Sequence, residues 1–160
     1  MLVAETTMQS GFEEAGNQAF RILAGYIFGN NRSKASSQKA LLTQKDSSEK
    51  IAMTAPVNQI GLPGGYLVQF TMPKTYQMDN LPTPLDNRVK LREVPARKIA
   101  VYSYSGSWSE ERFKEKLRIF QEELKKDGIN TIGEPVFARY NSPFRLWFLR
   151  RNEIWLELAK

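Results

Sequence analysis

The side chains available for catalysis in this sequence are carboxylates, lysines and tyrosines, because the chain contains neither cysteine nor histidine. This composition excludes thiolate nucleophiles, zinc sites built from Cys and His, and every catalytic triad with an imidazole base. Two carboxylates could still act as acid and base, but no spacing in the sequence singles out such a pair. We therefore expect a protein that has no catalytic residues, is not an enzyme, and has no metal site of its own.

The charge balance narrows the range of partners. The 160 residues include 23 basic and 17 acidic side chains, for a net charge of +6. Because the two signs alternate along most of the chain and no nucleic-acid-binding motif accompanies them, we expect no nucleic-acid partner. No signal peptide opens the sequence, and no run approaches the roughly 20 apolar residues of a membrane-spanning helix. The expectation is one soluble, cytoplasmic and monomeric domain formed by residues 1–160.

Two segments of the chain share a pattern that predicts an internal repeat. In residues 10–22 and again in residues 105–119, a Ser-Gly step precedes a Glu-Glu pair, and an Arg-Ile step follows that pair at the same interval. Each segment follows an extended run, and each is followed later by a Pro-Val step that opens further strand-like sequence. The pattern predicts two β-α-β-β halves, about residues 1–88 and 89–160. Acidic residues favour any helix N-terminus, so a chance likeness stays open.

Further strands are predicted from apolar runs and from alternation of apolar and polar residues. They cover residues 66–72, residues 89–94 and a C-terminal strand in which Ile154, Leu156 and Leu158 share one face, with glutamates on the opposite face.

Two connecting segments complete the predicted architecture. Residues 73–87 contain several prolines and predict a long ordered loop that joins the halves. Residues 30–50 are rich in Ser, Lys, Asn and Gln and predict a mobile insert. The fold class is α+β, with a curved antiparallel sheet or distorted barrel and two helices packed against it.

The first predicted helix is apolar over a wider face than one sheet can cover. At 100° per residue, one stripe contains Ala15, Ala19, Ile22, Leu23 and Tyr26, and a second contains Gly16, Phe20, Ala24 and Ile27. The second stripe is covered either by the long loop or the insert, or by a flat apolar ligand in a cleft with cations at its rim. Arg21 lies beside this stripe. Because the repeat aligns Phe20 with sheet-facing Leu117, the sequence leaves open which stripe faces outward.

Several motifs, in order along the chain, resemble the SOUL haem-binding protein family. They are Ile-Ala-Met-Thr-Ala-Pro-Val at residues 51–57, Phe-Thr-Met-Pro at 70–73, Leu-Pro-Thr-Pro at 81–84, Tyr-Asn-Ser-Pro at 140–143 and Arg-Arg-Asn-Glu-Ile-Trp-Leu at 150–156. The resemblance covers nearly the whole chain. It implies a distorted barrel of two pseudo-symmetric halves and non-covalent binding of haem or a related tetrapyrrole, with a role as carrier, buffer or sensor.

The resemblance also implies where the tetrapyrrole binds, namely the apolar face of the first helix and the loop before the last strand. In this sequence these places are Phe20, Ala24, Ile27 and Phe28, followed by Pro143, Phe144, Arg145 and Trp147. Asn17 and Gly25 stand where some relatives have cations. Arg21, Lys34 and Arg145 are therefore the candidates to pair with the propionates.

Axial histidine ligation of the iron is excluded, because some relatives carry such a histidine upstream of Leu2 and this sequence has none. The other possible iron ligands are Tyr26, Tyr140, Met53, Met72 and Met78. Each of these residue types is more typical of a structural position than of a ligand.

Substitution of Phe20 or Ile27 by Asp is expected to weaken tetrapyrrole binding and to leave the fold intact, if their stripe faces the ligand. Two other functions stay open. One is a ligand-sensing interaction module that binds a non-haem apolar ligand and acts through a protein partner. The other is an enzyme acting on a tetrapyrrole, and the fold alone cannot choose among these.

Overall fold

The computed structural model describes residues 1–34, 47–141 and 145–160. They form an α+β fold with helices α1 (Phe12–Ile27) and α2 (Glu110–Lys126) and a seven-stranded antiparallel sheet. The strands, in chain order, are β1 (Leu2–Met8), β2 (Asn31–Arg32), β3 (Val57–Leu62), β4 (Gly65–Thr71), β5 (Thr83–Pro84), β6 (Lys90–Glu93), β7 (Ile99–Ser105), β8 (Thr131–Arg139) and β9 (Arg151–Leu158). β2 and β5 pair with each other in a separate small sheet. Neither helix in the described ranges is long and apolar enough to cross a membrane.

The sheet contains the two β-α-β-β units that the repeat predicted, β1-α1-β3-β4 and β7-α2-β8-β9, whereas β6, which the predicted division at residue 88 placed in the second half, pairs with β1 of the first. Its strand order is β6-β1-β4-β3-β8-β9-β7. In each half the first strand pairs with the third and the third pairs with the second, and a helix connects the first strand to the second. The halves meet where β3 pairs with β8. Because β6 and β7 are edge strands, the structure is a curved open sheet rather than a closed barrel.

The two helices begin side by side. α2 is capped by Ser109, whose Oγ accepts a hydrogen bond from the backbone N–H of Arg112 at 3.3 Å. α1 has no side-chain cap of this kind at Gly11. The carboxylate of Glu13, in the first turn of α1, accepts a hydrogen bond from the backbone N–H of Glu110, the first residue of α2, at 2.8 Å. An acidic residue of one helix thus satisfies a free N–H group of the other, which ties the halves together.

Much of both apolar stripes of α1 is buried in the protein. Ala19, Leu23, Tyr26 and Ile27 belong to one core cluster. Tyr26 donates its hydroxyl hydrogen to the carbonyl of Pro82 in the long loop at 2.7 Å, and Ile51 donates its backbone N–H to the carbonyl of Ile27 at 2.8 Å. Ile27, which the resemblance placed against the tetrapyrrole, is 0% exposed and lies in the core.

The ends of the predicted insert are held in place, although residues 35–46 lie outside the described part of the chain. The side-chain amide of Asn31 donates to the carbonyls of Tyr26 and Glu49 at 2.6 and 2.8 Å. The backbone N–H of Glu49 donates in return to the Asn31 side chain at 3.0 Å. The predicted mobility of the insert stays a prediction.

An aromatic cluster beneath α2 contains one residue from α1. The ring of Phe12 lies 5.5 Å from that of Phe113 on α2, 5.3 Å from that of Phe137 on β8 and 5.6 Å from that of Tyr66 on β4, measured between centroids. Offset and edge-on ring pairs at such distances stabilise a core beyond the area that they bury. Phe12 therefore joins the cores of the two halves.

Two proline positions depart from the sequence expectation. β8 begins at Thr131, before the predicted start at Pro135, and its pairing with β9 shifts register between Ile132 and Val136. Pro135 thus occupies an irregular part of the strand, where a missing N–H is tolerated. Pro84 lies in β5 rather than in a purely irregular loop, paired with Asn31.

Glu153 lies on the predicted face of the last strand but is only 3% exposed. Burial acts to raise the pKa of its carboxyl group, but hydrogen bonds from Trp155, Tyr140 and Arg151 outweigh it and hold the pKa below the usual range. The Arg151–Glu153 ion pair agrees with a salt-bridged start of this strand.

The burial of α1 predicts opposite outcomes for two neighbouring substitutions. Ile27→Asp places a carboxylate in the core and is expected to lower the free energy of unfolding by about 3 kcal/mol or more. Phe28→Asp, at a side chain 59% exposed, is expected to change it by less than about 1 kcal/mol. Urea unfolding followed by circular dichroism measures both. Equal midpoints for the two variants would contradict this packing of Ile27.

Candidate functional site in a cleft beside the first helix

A cleft of about 170 Å³ lies between α1 and the adjacent ends of β3 and β8. α1 contributes residues one turn apart, and the sheet contributes Val57 and Arg139, which are directly opposite each other in the β3–β8 pairing. Among the described residues, the lining is Gly16, Asn17, Phe20, Arg21, Val57, Trp108, Arg139 and Asn141. The cleft therefore combines apolar walls with two arginines, and this lining includes no carboxylate.

The guanidinium of Arg139 packs against the backbone of α1 at Gly16. A methyl group added at Gly16 would lie 3.0 Å from Arg139 Nη2 and 2.9 Å from Gln59 Oε1. Gln59 is itself held in place, because its Nε2 donates to the carbonyl of Phe12 at 2.7 Å. Only glycine leaves room for this close approach of a side chain to the helix.

The charge of Arg139 has no carboxylate partner among the described residues. Its Nη2 group donates to Gln59 Oε1 over a long 3.4 Å, and its buried Nε finds no acceptor in the same part of the chain. Burial lowers the pKa of Arg139 to about 10, which still leaves it charged at neutral pH. The rings of Trp108 and Phe137, at 5.3 and 5.9 Å from the guanidinium carbon, provide cation–π contacts.

Trp108, two residues before α2, forms another wall of the cleft. Arg150 stacks on its ring at 4.2 Å, in addition to the contact with Arg139. The buried Nε1–H of Trp108 also has no acceptor within the described ranges. Buried donors normally have a partner, so the pair formed by Arg139 Nε and Trp108 Nε1 matches a ligand that brings anionic oxygens.

Two larger depressions lie near the ends of the chain. One of about 800 Å³ is lined by Met1, Leu2 and residues between 71 and 79, and it includes two carboxylates, Asp79 and Glu93, and one lysine, Lys74. The other, of about 850 Å³, adjoins Lys160. The buried polar atoms without partners in the described residues line neither depression. The smaller cleft is therefore the better candidate.

The structure brings only some of the predicted α1 residues to the cleft. Phe20 and Arg21 line it. Ala24 is 9% exposed and Ile27 is in the core, so α1 closes against the protein beyond Phe20. Phe28 is exposed but stands about 12 Å beyond Phe20 along the helix axis.

The predicted residues before β9 are next to the cleft rather than in its lining. Arg145 and Trp147 are exposed and belong to a segment that includes a 3-10 helix, Trp147–Leu149. This segment reaches the cleft through Arg150, which stacks on Trp108. Phe144 and Pro143 lie outside the described residues.

The alternative propionate and iron partners lie away from the cleft. Lys34 donates to the carbonyl of Met78 at 2.8 Å, and Tyr26 is bonded to Pro82. Tyr140 carries Arg151 on its ring at 4.8 Å. Met72 is buried in the core of the first half, and Met53 is exposed. The cleft lining includes none of these residues.

Sequence reasoning placed Gly16 in the second apolar stripe but missed Trp108 and Arg139. One signal was present, because Arg139 is a lone cation at the end of the apolar run Val136–Ala138. Every second residue of such a strand faces the core. A charged residue at one of these positions is expected to be buried, and a buried charge needs a specific explanation.

The fold and the cleft define a class, namely a two-half α+β protein with a small, partly apolar cleft beside its first helix. The model of the SOUL heme-binding protein family matches residues 1–157. The chain therefore belongs to the SOUL heme-binding protein family, as its motifs predicted.

One protein is similar in sequence, and two solved structures are similar in fold. Heme-binding protein 2 of Homo sapiens is 28% identical over 163 residues, which cover 96% of this chain and 71% of the human protein. Two crystal structures from Listeria innocua share the fold, each with a TM-score of 0.60. One, a hydrolase, is 10% identical and covers 99% of this chain and 87% of its own. The other, an uncharacterized conserved protein, is 11% identical, with 99% and 88% covered.

The close contact at Gly16 predicts different effects for alanine at the two glycines of α1. Gly25 has no neighbouring atom within 4 Å of an added methyl group, so Gly25→Ala is expected to raise the free energy of unfolding by about 0.5–1 kcal/mol through helix propensity. Gly16→Ala should give no such gain, because the methyl group displaces Arg139 and Gln59. Chemical denaturation of both variants tests this, and an equal gain at the two positions would show that Arg139 does not depend on Gly16.

Proposed function

We propose that this chain binds haem or a related tetrapyrrole reversibly in the cleft beside α1, as a carrier, buffer or sensor rather than as an enzyme. The observation that carries the proposal is the pair of buried donors, Arg139 Nε and Trp108 Nε1, which lack acceptors in the described residues and lie beside the apolar side chains of Phe20 and Val57. A propionate would accept hydrogen bonds from the donors, and the ring would cover the apolar groups. Membership of the family supports this ligand class.

The size of the cleft limits how the ligand enters. Its volume of about 170 Å³ is below the roughly 300–1,000 Å³ of sites that enclose drug-sized ligands. One propionate-bearing edge therefore enters towards Arg139, and the ring lies at the mouth against Phe20 with Arg21 beside it. Arg145 and Trp147 are proposed as contacts at the open edge of the ring. Phe28, exposed at the end of α1, is proposed as a further apolar contact only for a ligand that reaches that far along the helix, and the buried Ala24 would contact the ligand only if α1 moved.

We propose that the iron has no axial ligand from the protein. The sequence has no histidine, and burial raises the pKa of Tyr26. Burial and a hydrogen bond with Glu153 raise the pKa of Tyr140 to about 12. Both shifts disfavour tyrosinate, the form that binds ferric iron. Affinity then comes from burial of the ring and from pairing of the propionates with cations. We further propose that the protein acts as a cytoplasmic monomer.

A smaller aromatic carboxylate is the second candidate ligand, because the cleft as it stands holds such a molecule without opening. In that case the protein is a sensing module that acts through a protein partner. Enzymatic action on a tetrapyrrole is the least supported, because the cleft lining includes no carboxylate, lysine or tyrosine to serve as acid or base.

The role of Arg139 predicts a dependence on free propionates. Arg139→Met is expected to weaken protoporphyrin binding about tenfold to a hundredfold, because a hydrogen bond to a charged group contributes about 1.5–3 kcal/mol. The dimethyl ester of protoporphyrin should bind the unaltered protein more weakly by a similar factor, and Arg139→Met should not weaken ester binding further. Quenching of Trp fluorescence measures all four affinities.

The matched control is Arg118→Met, which removes an exposed guanidinium from α2. Its affinity for both porphyrins should equal that of the unaltered protein. If Arg139→Met and Arg118→Met behave alike, Arg139 does not hold the ligand. If neither porphyrin binds but 1-naphthoate quenches Trp fluorescence and saturates, the smaller-ligand alternative is correct.

The absence of an axial ligand predicts that iron adds little to affinity. Haem and metal-free protoporphyrin should differ by less than about 2.7 kcal/mol, or about a hundredfold in Kd, and haem should show no six-coordinate low-spin spectrum. Paired titrations with visible spectra of the ferric and ferrous complexes provide the test. A larger preference for haem that disappears when Tyr26, Tyr140 or a methionine is replaced would establish a protein ligand to the iron.

A further inference from the structure

Four consecutive large apolar side chains are exposed just before β9. Leu146 is 59% exposed, Trp147 61%, Phe148 52% and Leu149 51%. We call these four residues the apolar run. Single exposed apolar residues are common on protein surfaces, whereas an unbroken group of large ones usually marks a contact surface.

The backbone of the apolar run spreads its side chains in several directions. Residues 147–149 form a 3-10 helix, in which successive side chains point about 120° apart. The rings of Trp147 and Phe148 accordingly lie edge to face, with an interplanar angle of 87°. A flat ligand can cover one or two such side chains but not all four. A fluid apolar environment into which the segment inserts can cover all four side chains together.

The charges beside the apolar run have one sign. Arg145 precedes it, Arg150 and Arg151 follow it, and residues 145–152 contain no acidic side chain. The guanidinium of Arg145 donates to the carbonyl of Leu149 at 3.0 Å, which keeps this cation next to the apolar side chains. The nearest carboxylate along the sequence, Glu153, is buried and pairs with Arg151.

We propose that the apolar run is a peripheral membrane contact, which inserts into the interface of a bilayer that carries anionic lipid. Tryptophan with neighbouring aliphatic side chains is typical of protein segments at that depth, and flanking arginines attract anionic headgroups. The inference does not depend on the identity of the ligand in the cleft. It places the cleft beside the bilayer, because Arg150 stacks on the cleft residue Trp108.

The test uses the full chain and vesicles of phosphatidylcholine alone or with about a third phosphatidylserine. The unaltered protein should sediment with the mixed vesicles and only weakly with the neutral ones, and binding should fall as salt rises. Phe148→Ser with Leu149→Ser should lower the partition coefficient about tenfold or more, because two apolar side chains no longer enter the interface. Trp fluorescence should shift to the blue with mixed vesicles, and Trp147→Phe should remove most of that shift.

The matched control is Leu85→Ser, which alters a side chain that is 56% exposed and lies outside the apolar run. It should bind mixed vesicles like the unaltered protein, and thermal melts should show that all variants are folded. Equal binding by the double variant and the control would overturn the proposal, as would no binding to either type of vesicle. Self-association that the double variant abolishes, in the absence of vesicle binding, would instead show that the apolar run joins two copies of this chain.

Discussion

The antiparallel pairing of β3 with β8 is the interaction on which the rest of the structure depends. It joins the β1-α1-β3-β4 unit to the β7-α2-β8-β9 unit in the described sheet, and it sets Val57 opposite Arg139. On the side of the sheet that carries the helices, Phe12 of α1 packs in the aromatic cluster below α2. The carboxylate of Glu13 accepts a hydrogen bond from the backbone N–H of Glu110 at the start of α2. The cleft lies beside this strand pairing, and residues of both halves line it. Neither half alone would form it.

The fold was largely predictable because local patterns determine it. The repeated Glu-Glu and Arg-Ile spacing marked both helices, and apolar alternation marked most strands. What covers α1 was not predictable, because the contact of Tyr26 with Pro82 and that of Ile27 with Ile51 join residues far apart in sequence. A helical projection shows how wide an apolar face is, but not whether the sheet, a loop or a ligand covers it. This is why Ile27 was assigned to a ligand and belongs to the core.

The site was less predictable than the fold for a related reason. Phe20 and Arg21 could be found, since their place on α1 follows from helical periodicity. Arg139 could not be assigned, because its burial results from strand pairing with β3 and from the space left by Gly16. Glu153 shows the same limit, since alternation placed it on the face opposite Ile154, but it is buried there and hydrogen-bonded by Trp155, Tyr140 and Arg151. Periodicity identifies the face of a residue, and tertiary packing determines whether that face meets water.

The concentration of unfavourable local features at the cleft is the physical argument for a ligand there. A glycine inside a helix costs about 1 kcal/mol relative to alanine, and a buried donor without a partner costs about 1–3 kcal/mol. Gly16, Trp108 and Arg139 bring such features together around one small space. Residues that lower stability locally are expected at positions that are used for binding. A ligand carboxylate at Arg139 would recover part of that cost, since it supplies the acceptors and the counter-charge that the described residues do not provide.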